Sequence, residues 1–288
     1  MARIFPFLRT TKLFLLFSGL AIFSIFISAS EDENIKNIEP LVKGQECITS
    51  KTAEEPLLFG VFAFANDTES MKVIREQYSS NDRNHYVMYS IRSLPEELSL
   101  YDALSMHRKM IIIQSLDNIT DAIKISRQYD LDLIVYDIEH WEKTPELERT
   151  DPSHSISNGA GIVHEAGYRY GITPDAVMLM DNYKKINWTE IDFLGMQLQR
   201  FSQNVAEYSS LAKEISSFAR CKNPNIEIFT QLSFRFTDAN DMIKIIESVK
   251  DIVDGFIIVY NTNTGSDSCI SRCTAHDLEL VLNRINSL

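Results

Sequence analysis

The sequence is poor in the residues that mark several common chemistries. Only 10 glycines are spread over its 288 residues, and no glycine-rich fingerprint follows the first apolar run. A dinucleotide-binding sheet therefore gains little support. There is no Cys-x-x-Cys pair and no His-Glu-x-x-His, and the six histidines are scattered, so metal-ligand spacing is missing. The residues call for no metal or organic cofactor. Positive charge is also scarce, with 28 Lys and Arg against 40 Asp and Glu. Arg3, Arg9 and Lys12 lie in a leader without acids, so residues 31–288 hold 25 cationic side chains against 40 acidic ones, a net −15. An acidic body argues against nucleic acid or an anionic membrane surface as partner and is otherwise a device for solubility. The longest apolar run, residues 13–27, falls short of the ~20 residues that span a bilayer comfortably. No repeat finer than a strand–helix unit and no low-complexity segment is found.

What is present begins with that leader. Residues 1–30 have a basic start, the apolar run broken only by Ser18, Gly19 and Ser24, and then Ser28-Ala29-Ser30 before Glu31-Asp32-Glu33. This is the layout of a secretory signal peptide; its rival is an uncleaved N-terminal anchor that tethers the chain to a membrane through residues 13–27. Either way the body is expected to be exported, as a secreted or cell-surface protein. Outside the cytosol, Cys47, Cys221, Cys269 and Cys273 are candidates for two disulfides, with three possible pairings. Sequons at Asn66, Asn118 and Asn187 suit surface glycosylation.

Residues 31–55 read as a polar lead-in and residues 56–288 as one domain. Apolar or β-rich runs occupy 57–65, 85–91, 110–115, 131–139, 168–173, 191–199, 226–234 and 255–260. Helical patterns lie between and after them: 67–77, one opening at Ser93, 118–129, 155–166, 174–183, 202–220, 237–253 and 274–285. Regular alternation predicts a single-domain α/β fold, a (β/α)8 TIM barrel; an open doubly wound sheet is the rival. In a barrel, Cys47 and Cys221 precede strands and share the N-terminal face, while Cys269 and Cys273 follow the eighth. Cys47–Cys221 and Cys269–Cys273 is then the preferred pairing.

The organising stretch is residues 131–141, Leu-Asp-Leu-Ile-Val-Tyr-Asp-Ile-Glu-His-Trp. A buried strand ends in two acids, Asp137 and Glu139, which share a face because strand side chains alternate. Two acids on one face repel, so one should have a raised pKa. Chemistry on a barrel sits at the C-terminal strand ends. There the sequence supplies Tyr89 on the second strand, Gln114 or Ser115 on the third and Asp175 after the fifth. The sixth adds Gln197 and Gln199, the seventh Gln231 and the eighth Tyr260. Carboxylates, amides and aromatic rings at one mouth suit a sugar, which needs hydrogen-bond partners and flat apolar surfaces. Each polar residue taken singly has a plainer reading, as the place where a strand meets water.

The run Asp132-Leu-Ile-Val135-Tyr-Asp137-Ile-Glu139 resembles the DxxDxDxE pattern of glycoside hydrolase family 18, which includes chitinases and endo-β-N-acetylglucosaminidases. Asp137-Ile-Glu-His140 looks most like the plant-type chitinases, and Gln197-Leu-Gln199 resembles their Gln-x-Tyr on the sixth strand. The resemblance implies a (β/α)8 enzyme acting on a polysaccharide or glycan. Glu139 would be the general acid. Asp137 would orient a 2-acetamido group whose oxygen attacks the anomeric carbon. Gln197 would hold the acetamido group or ring hydroxyls, and Tyr260 would take the place of the family's sugar-stacking tryptophan. The sequence departs from the pattern at Val135, where the family has an aspartate, at Gln199, where it has a tyrosine, and at Ser115-Leu-Asp-Asn118, where it has Ser-x-Gly-Gly. Two other readings keep the barrel. One is a non-catalytic carbohydrate-binding or cell-surface protein. The other is a hydrolase acting without substrate assistance, with Asp175 facing Glu139.

Overall fold

A computed structural model describes residues 56–63, 68–79, 85–91, 107–260 and 273–288. The leader, the lead-in, Cys47, Asn66, Cys269 and the helix opening at Ser93 lie outside these residues. Eight strands close into a barrel in chain order. They are β1 (Leu58–Ala63), β2 (Tyr86–Ser90), β3 (Arg108–Ile113), β4 (Leu133–Tyr136), β5 (Arg169–Ile172), β6 (Phe193–Met196), β7 (Glu227–Ser233) and β8 (Gly255–Tyr260). Every pairing is parallel, and β8 closes on β1 with Leu58 opposite Gly255. The expected (β/α)8 barrel is therefore what the chain forms.

The described helices are α1 (Thr68–Ser79), α2 (Ile119–Tyr129), α3 (Glu146–Thr150), α4 (Pro152–Glu165), α5 (Ala176–Asn182), α6 (Val205–Lys222), α7 (Ala239–Val249) and α8 (Ala275–Asn286). Local chemistry sets their starts. Asp151 accepts from His154 N at 3.1 Å and Pro152 fills the first turn, so α4 begins three residues before the expected 155. Asp238 accepts from Asp241 N at 3.0 Å to open α7, and Thr274 with Asp277 forms a capping box on α8. Helix α7 buries Met242, Ile245, Ile246 and Val249 completely, at roughly 1.5–3 kcal/mol of stabilisation for each side chain.

Strand alternation divides the core in two. Phe256, Ile258 and Tyr260 of β8 and Val87 and Tyr89 of β2 belong to the layer between sheet and helices. Tyr86, Met88, Met110, Ile112, Leu133, Val135, Phe193, Phe229 and Ile257 fill the barrel interior. The rings of Tyr86, Phe193 and Phe229 meet with centroids 5.1 to 5.5 Å apart. Small residues admit them: a Cβ at Gly255 would lie 2.5 Å from the Phe229 ring.

The N-terminal end of the interior is closed by polar side chains. Arg108 reaches both oxygens of Glu227, at 2.7 and 2.8 Å, and Arg169 joins at 3.0 Å. The Tyr86 hydroxyl donates to Glu227 at 2.6 Å and lies under the Arg108 guanidinium, 4.2 Å from ring centroid to charge. Burial alone would raise Glu227, but the hydrogen bonds and charge of Arg108, with Tyr86 and Arg169, hold its carboxyl below the usual range.

Candidate active site at the barrel mouth

The interior parity that runs through Leu133 and Val135 continues past the end of β4 to Asp137 and Glu139. The strand is shorter than residues 131–139, yet Asp137 N still donates to Ile113 O at 2.7 Å, which keeps the alternation going. On the neighbouring strands the same parity delivers Thr173 after Gly171, Gln197 after Gly195 and Gln114 after Ile112. A bridge between Asp175 and Gln197 extends the β5–β6 pairing to the mouth.

These side chains form one network. Gln197 Nε2 lies 2.7 Å from Asp137 Oδ1, 3.0 Å from Glu139 Oε1 and 2.8 Å from Thr173 O. Its two hydrogens serve three acceptors, so one is shared. Thr173 Oγ1 donates to Asp137 Oδ1 at 3.2 Å, and Gln199 Nε2 donates to Gln197 Oε1 at 3.2 Å. Burial, then the charge of Glu139, pushes the Asp137 carboxyl well above its usual range, against the pull of bonds from Thr173 and Gln114. Burial also raises Glu139, while bonds from Gln197 and Asp137 oppose the rise. Both carboxyls therefore favour the protonated form more than a free acid does, the more buried Asp137 most of all.

Asp175 is engaged differently. Oδ1 caps α5 through Met178 N at 2.9 Å, and Oδ2 accepts from His140 N at 2.6 Å and pairs with His140 Nδ1 at 2.9 Å. Burial would raise it, yet the His140 ring, with the Met178 and His140 N–H groups, holds it below the usual carboxylate range. The Asp175 hydrogen bond in turn raises His140. With both oxygens committed, Asp175 shapes the rim and leaves little capacity to activate water.

Two residues that sequence reasoning passed over hold the segment after Glu139. Thr144 Oγ1 accepts from Glu139 N at 3.3 Å and from Trp141 Nε1 at 3.2 Å. Glu148, buried on α3, takes the Tyr136 hydroxyl, Ser115 Oγ at 3.2 Å and Leu116 N at 3.2 Å. It thereby clamps the chain on either side of Gln114 and Asp137. Nothing in the local pattern marks Glu148, which reads as an ordinary acid in a helix's first turn.

Gln231 keeps the interior parity of Phe229 and points the same way as the site. Gln199 begins a 3-10 turn, Gln199–Phe201, instead of lying on a strand, and joins the network through its amide. Tyr260 and Tyr89 require correction. Tyr260 is buried outside the barrel, accepts from Ser70 Oγ at 2.9 Å and packs edge-on against Phe234. Tyr89 is buried in the same outer layer. Gly255 under the Phe229 ring fixes the parity of β8, and Tyr86 inside the barrel fixes that of β2, so both tyrosines face the helices.

Among the described residues, no group of three or more His, Cys, Asp or Glu side chains is placed to hold a metal ion. Neither Cys221 nor Cys273 is a free thiol, and the residues expected to pair with them, Cys47 and Cys269, lie outside the described part.

No protein-family model matches the sequence, and no curated protein matches it significantly. Solved structures do. The catalytic domain of a family GH18 chitinase from the fern Peteris ryukyuensis is similar at TM-score 0.52 and 10% identity, over 79% of this chain and 99% of that one. Triosephosphate isomerase from Bartonella henselae is similar at TM-score 0.50 and 12% identity, over 81% and 100%. TrpF from Jonesia denitrificans aligns at TM-score 0.47 and 8% identity, over 80% and 96%. At such identities the likeness to the chitinase domain and to triosephosphate isomerase establishes the fold alone, a TIM barrel.

Proposed function

We propose that the protein is an exported glycoside hydrolase that cleaves a glycan containing N-acetylhexosamine, with Glu139 as the acid. One observation carries the reading: a single amide, Gln197 Nε2, lies within hydrogen-bond distance of both Asp137 and Glu139 at the mouth. The similarity of Asp137-Ile-Glu139 and Gln197 to the family 18 pattern supports it. The upward shift of Glu139 lies in the direction that a general acid needs. Glu139 protonates the glycosidic oxygen, and the bond from the anomeric carbon to that oxygen breaks. The acetamido oxygen, oriented by Asp137, supplies the electron pair that replaces it. Water then attacks the anomeric carbon, the bond from that carbon to the acetamido oxygen breaks and its electron pair returns to the acetamido group, and the attacking water gives its proton back to Glu139.

The same proposal takes residues 1–30 as the export signal or anchor, Cys47–Cys221 and Cys269–Cys273 as disulfides, and Asn187, which is exposed, as a glycosylation acceptor. A second reading, a carbohydrate-binding barrel without activity, is favoured by Val135. It is fully buried among interior apolar side chains where the family pattern has an acid. Glycan-panel hydrolysis and calorimetric binding with wild type and Glu139→Gln decide between the two. The hydrolase reading expects turnover by the wild type alone and binding by both. Equal binding with no turnover by either leaves the binding reading, and no binding or turnover of any glycan removes both.

A further inference from the structure

Hydrogen-bond accounting at the mouth leaves two acceptors over. Gln197 Nε2 faces three acceptors, which fixes the orientation of its amide and makes its Oε1 the acceptor toward Gln199. Gln199 must then present Nε2 to it, as observed at 3.2 Å, and its own Oε1 is left buried with no partner. Gln114 Oε1, on the interior parity of the third strand beside Asp137, is likewise buried and unpartnered. A bare buried acceptor is unfavourable, so each oxygen has an unmet demand for a donor. Within the network, Gln197 Nε2 and Thr173 Oγ1 donate to Asp137, and Gln199 Nε2 donates to Gln197, so none of these bonds reaches the two bare oxygens. Where a tyrosine at position 199 would offer a hydroxyl hydrogen, Gln199 offers an oxygen.

We infer that Gln114 Oε1 and Gln199 Oε1 are specificity-determining acceptors that recognise two hydroxyl groups of a sugar acting as donors. This rests on the glycan reading above and names what the site selects within it: free hydroxyls at two positions of the bound sugar unit. Replacing such a hydroxyl by a methyl ether removes the donor, leaves the ether oxygen and strands the amide oxygen again. Sites built around buried polar groups reject analogues that cannot pair with them far more strongly than apolar pockets reject a change of size.

The test uses the full chain and β-1,4-linked N-acetylglucosamine tetramers, either unmodified, uniformly 3-O-methylated or uniformly 6-O-methylated. Binding is measured by calorimetry for wild type, Gln114→Met and Gln199→Met, with folding checked by thermal unfolding. Methylation at each position is expected to weaken wild-type binding at least tenfold. Each variant should bind the unmodified tetramer more weakly and lose its sensitivity to one of the two methyl ethers. Two results overturn the inference while leaving the glycan reading standing: methylated tetramers bound within twofold of the unmodified one, or methylation penalties unchanged in both variants. Failure of the unmodified tetramer, and of every other glycan in the panel, to bind removes the glycan reading itself and the inference with it.

Discussion

Replacing Gln197 by leucine tests the network at its centre. The side chain is only 7% exposed, and leucine is close to it in size, so the change removes the amide with little change in volume. Thr173 O loses its 2.8 Å donor in a buried setting, a loss of about 1–3 kcal/mol. The shared bond to Asp137 and Glu139 is charge-assisted and is worth about 1.5–3 kcal/mol. Burying leucine instead of an amide returns about 1 kcal/mol or more, so the net destabilisation should be roughly 2–4 kcal/mol. Urea unfolding measures it as a lower midpoint at unchanged slope. Both carboxyls also lose a donor that favoured their charged forms, so the alkaline limb of any pH–rate profile, set by loss of the proton on Glu139, should move to higher pH. A stability change under about 0.5 kcal/mol, inside the usual range for surface substitutions, would refute the claim that this amide holds the acid pair together.

Asp137→Asn should raise the melting temperature. The raised pKa means that the native state keeps a proton the unfolded chain releases, so rising pH through and above the ordinary aspartate range costs the wild type stability that asparagine does not lose. The gain must therefore be larger at pH 7 than at pH 4 in calorimetric scans, and a pH-independent gain would contradict the assignment. Glu227→Gln should lower stability by about 3–5 kcal/mol in denaturant titration, because Arg108 and Arg169 are left without their carboxylate. Gly195→Ala puts a Cβ 2.5 Å from Thr173 Cγ2; a loss of about 1–3 kcal/mol from overpacking is expected, together with weaker binding in the glycan panel as Thr173 leaves Asp137.

The barrel was legible in the sequence because its signal is redundant: eight apolar runs alternate with capped helical patterns, and each repeats the message of the last. The acid pair was legible because Asp137 and Glu139 are two apart and no alternation can separate them. Tyr260 and Tyr89 were misjudged because the end of an apolar run does not reveal which face of the strand its last aromatic takes. That face is set by Gly255 under Phe229 and by Tyr86 packed between Phe193 and Phe229, contacts made across the barrel. Thr144 and Glu148 stayed hidden for a related reason. Their partners, Glu139 N, Trp141 Nε1, Tyr136 and Ser115, meet only once the segment after β4 folds back on the barrel.

The two ends of the barrel interior differ in how their polar groups are satisfied. The lower end holds two arginines, a tyrosine and a glutamate, and none of these side chains has a buried polar atom without a partner. Its acid is held ionised by its neighbours, as in a network whose work is cohesion. The upper end holds a comparable set of polar groups in the opposite condition. Two acids are held by one amide and pushed above their usual range, and two amide oxygens have no partner. The interior side chains from Leu133 and Val135 to Phe193 and Phe229 separate the two networks, so the strain above is not relieved from below. The polar groups of the lower network satisfy one another, while the upper network keeps two acceptors without donors at the end where barrel loops gather.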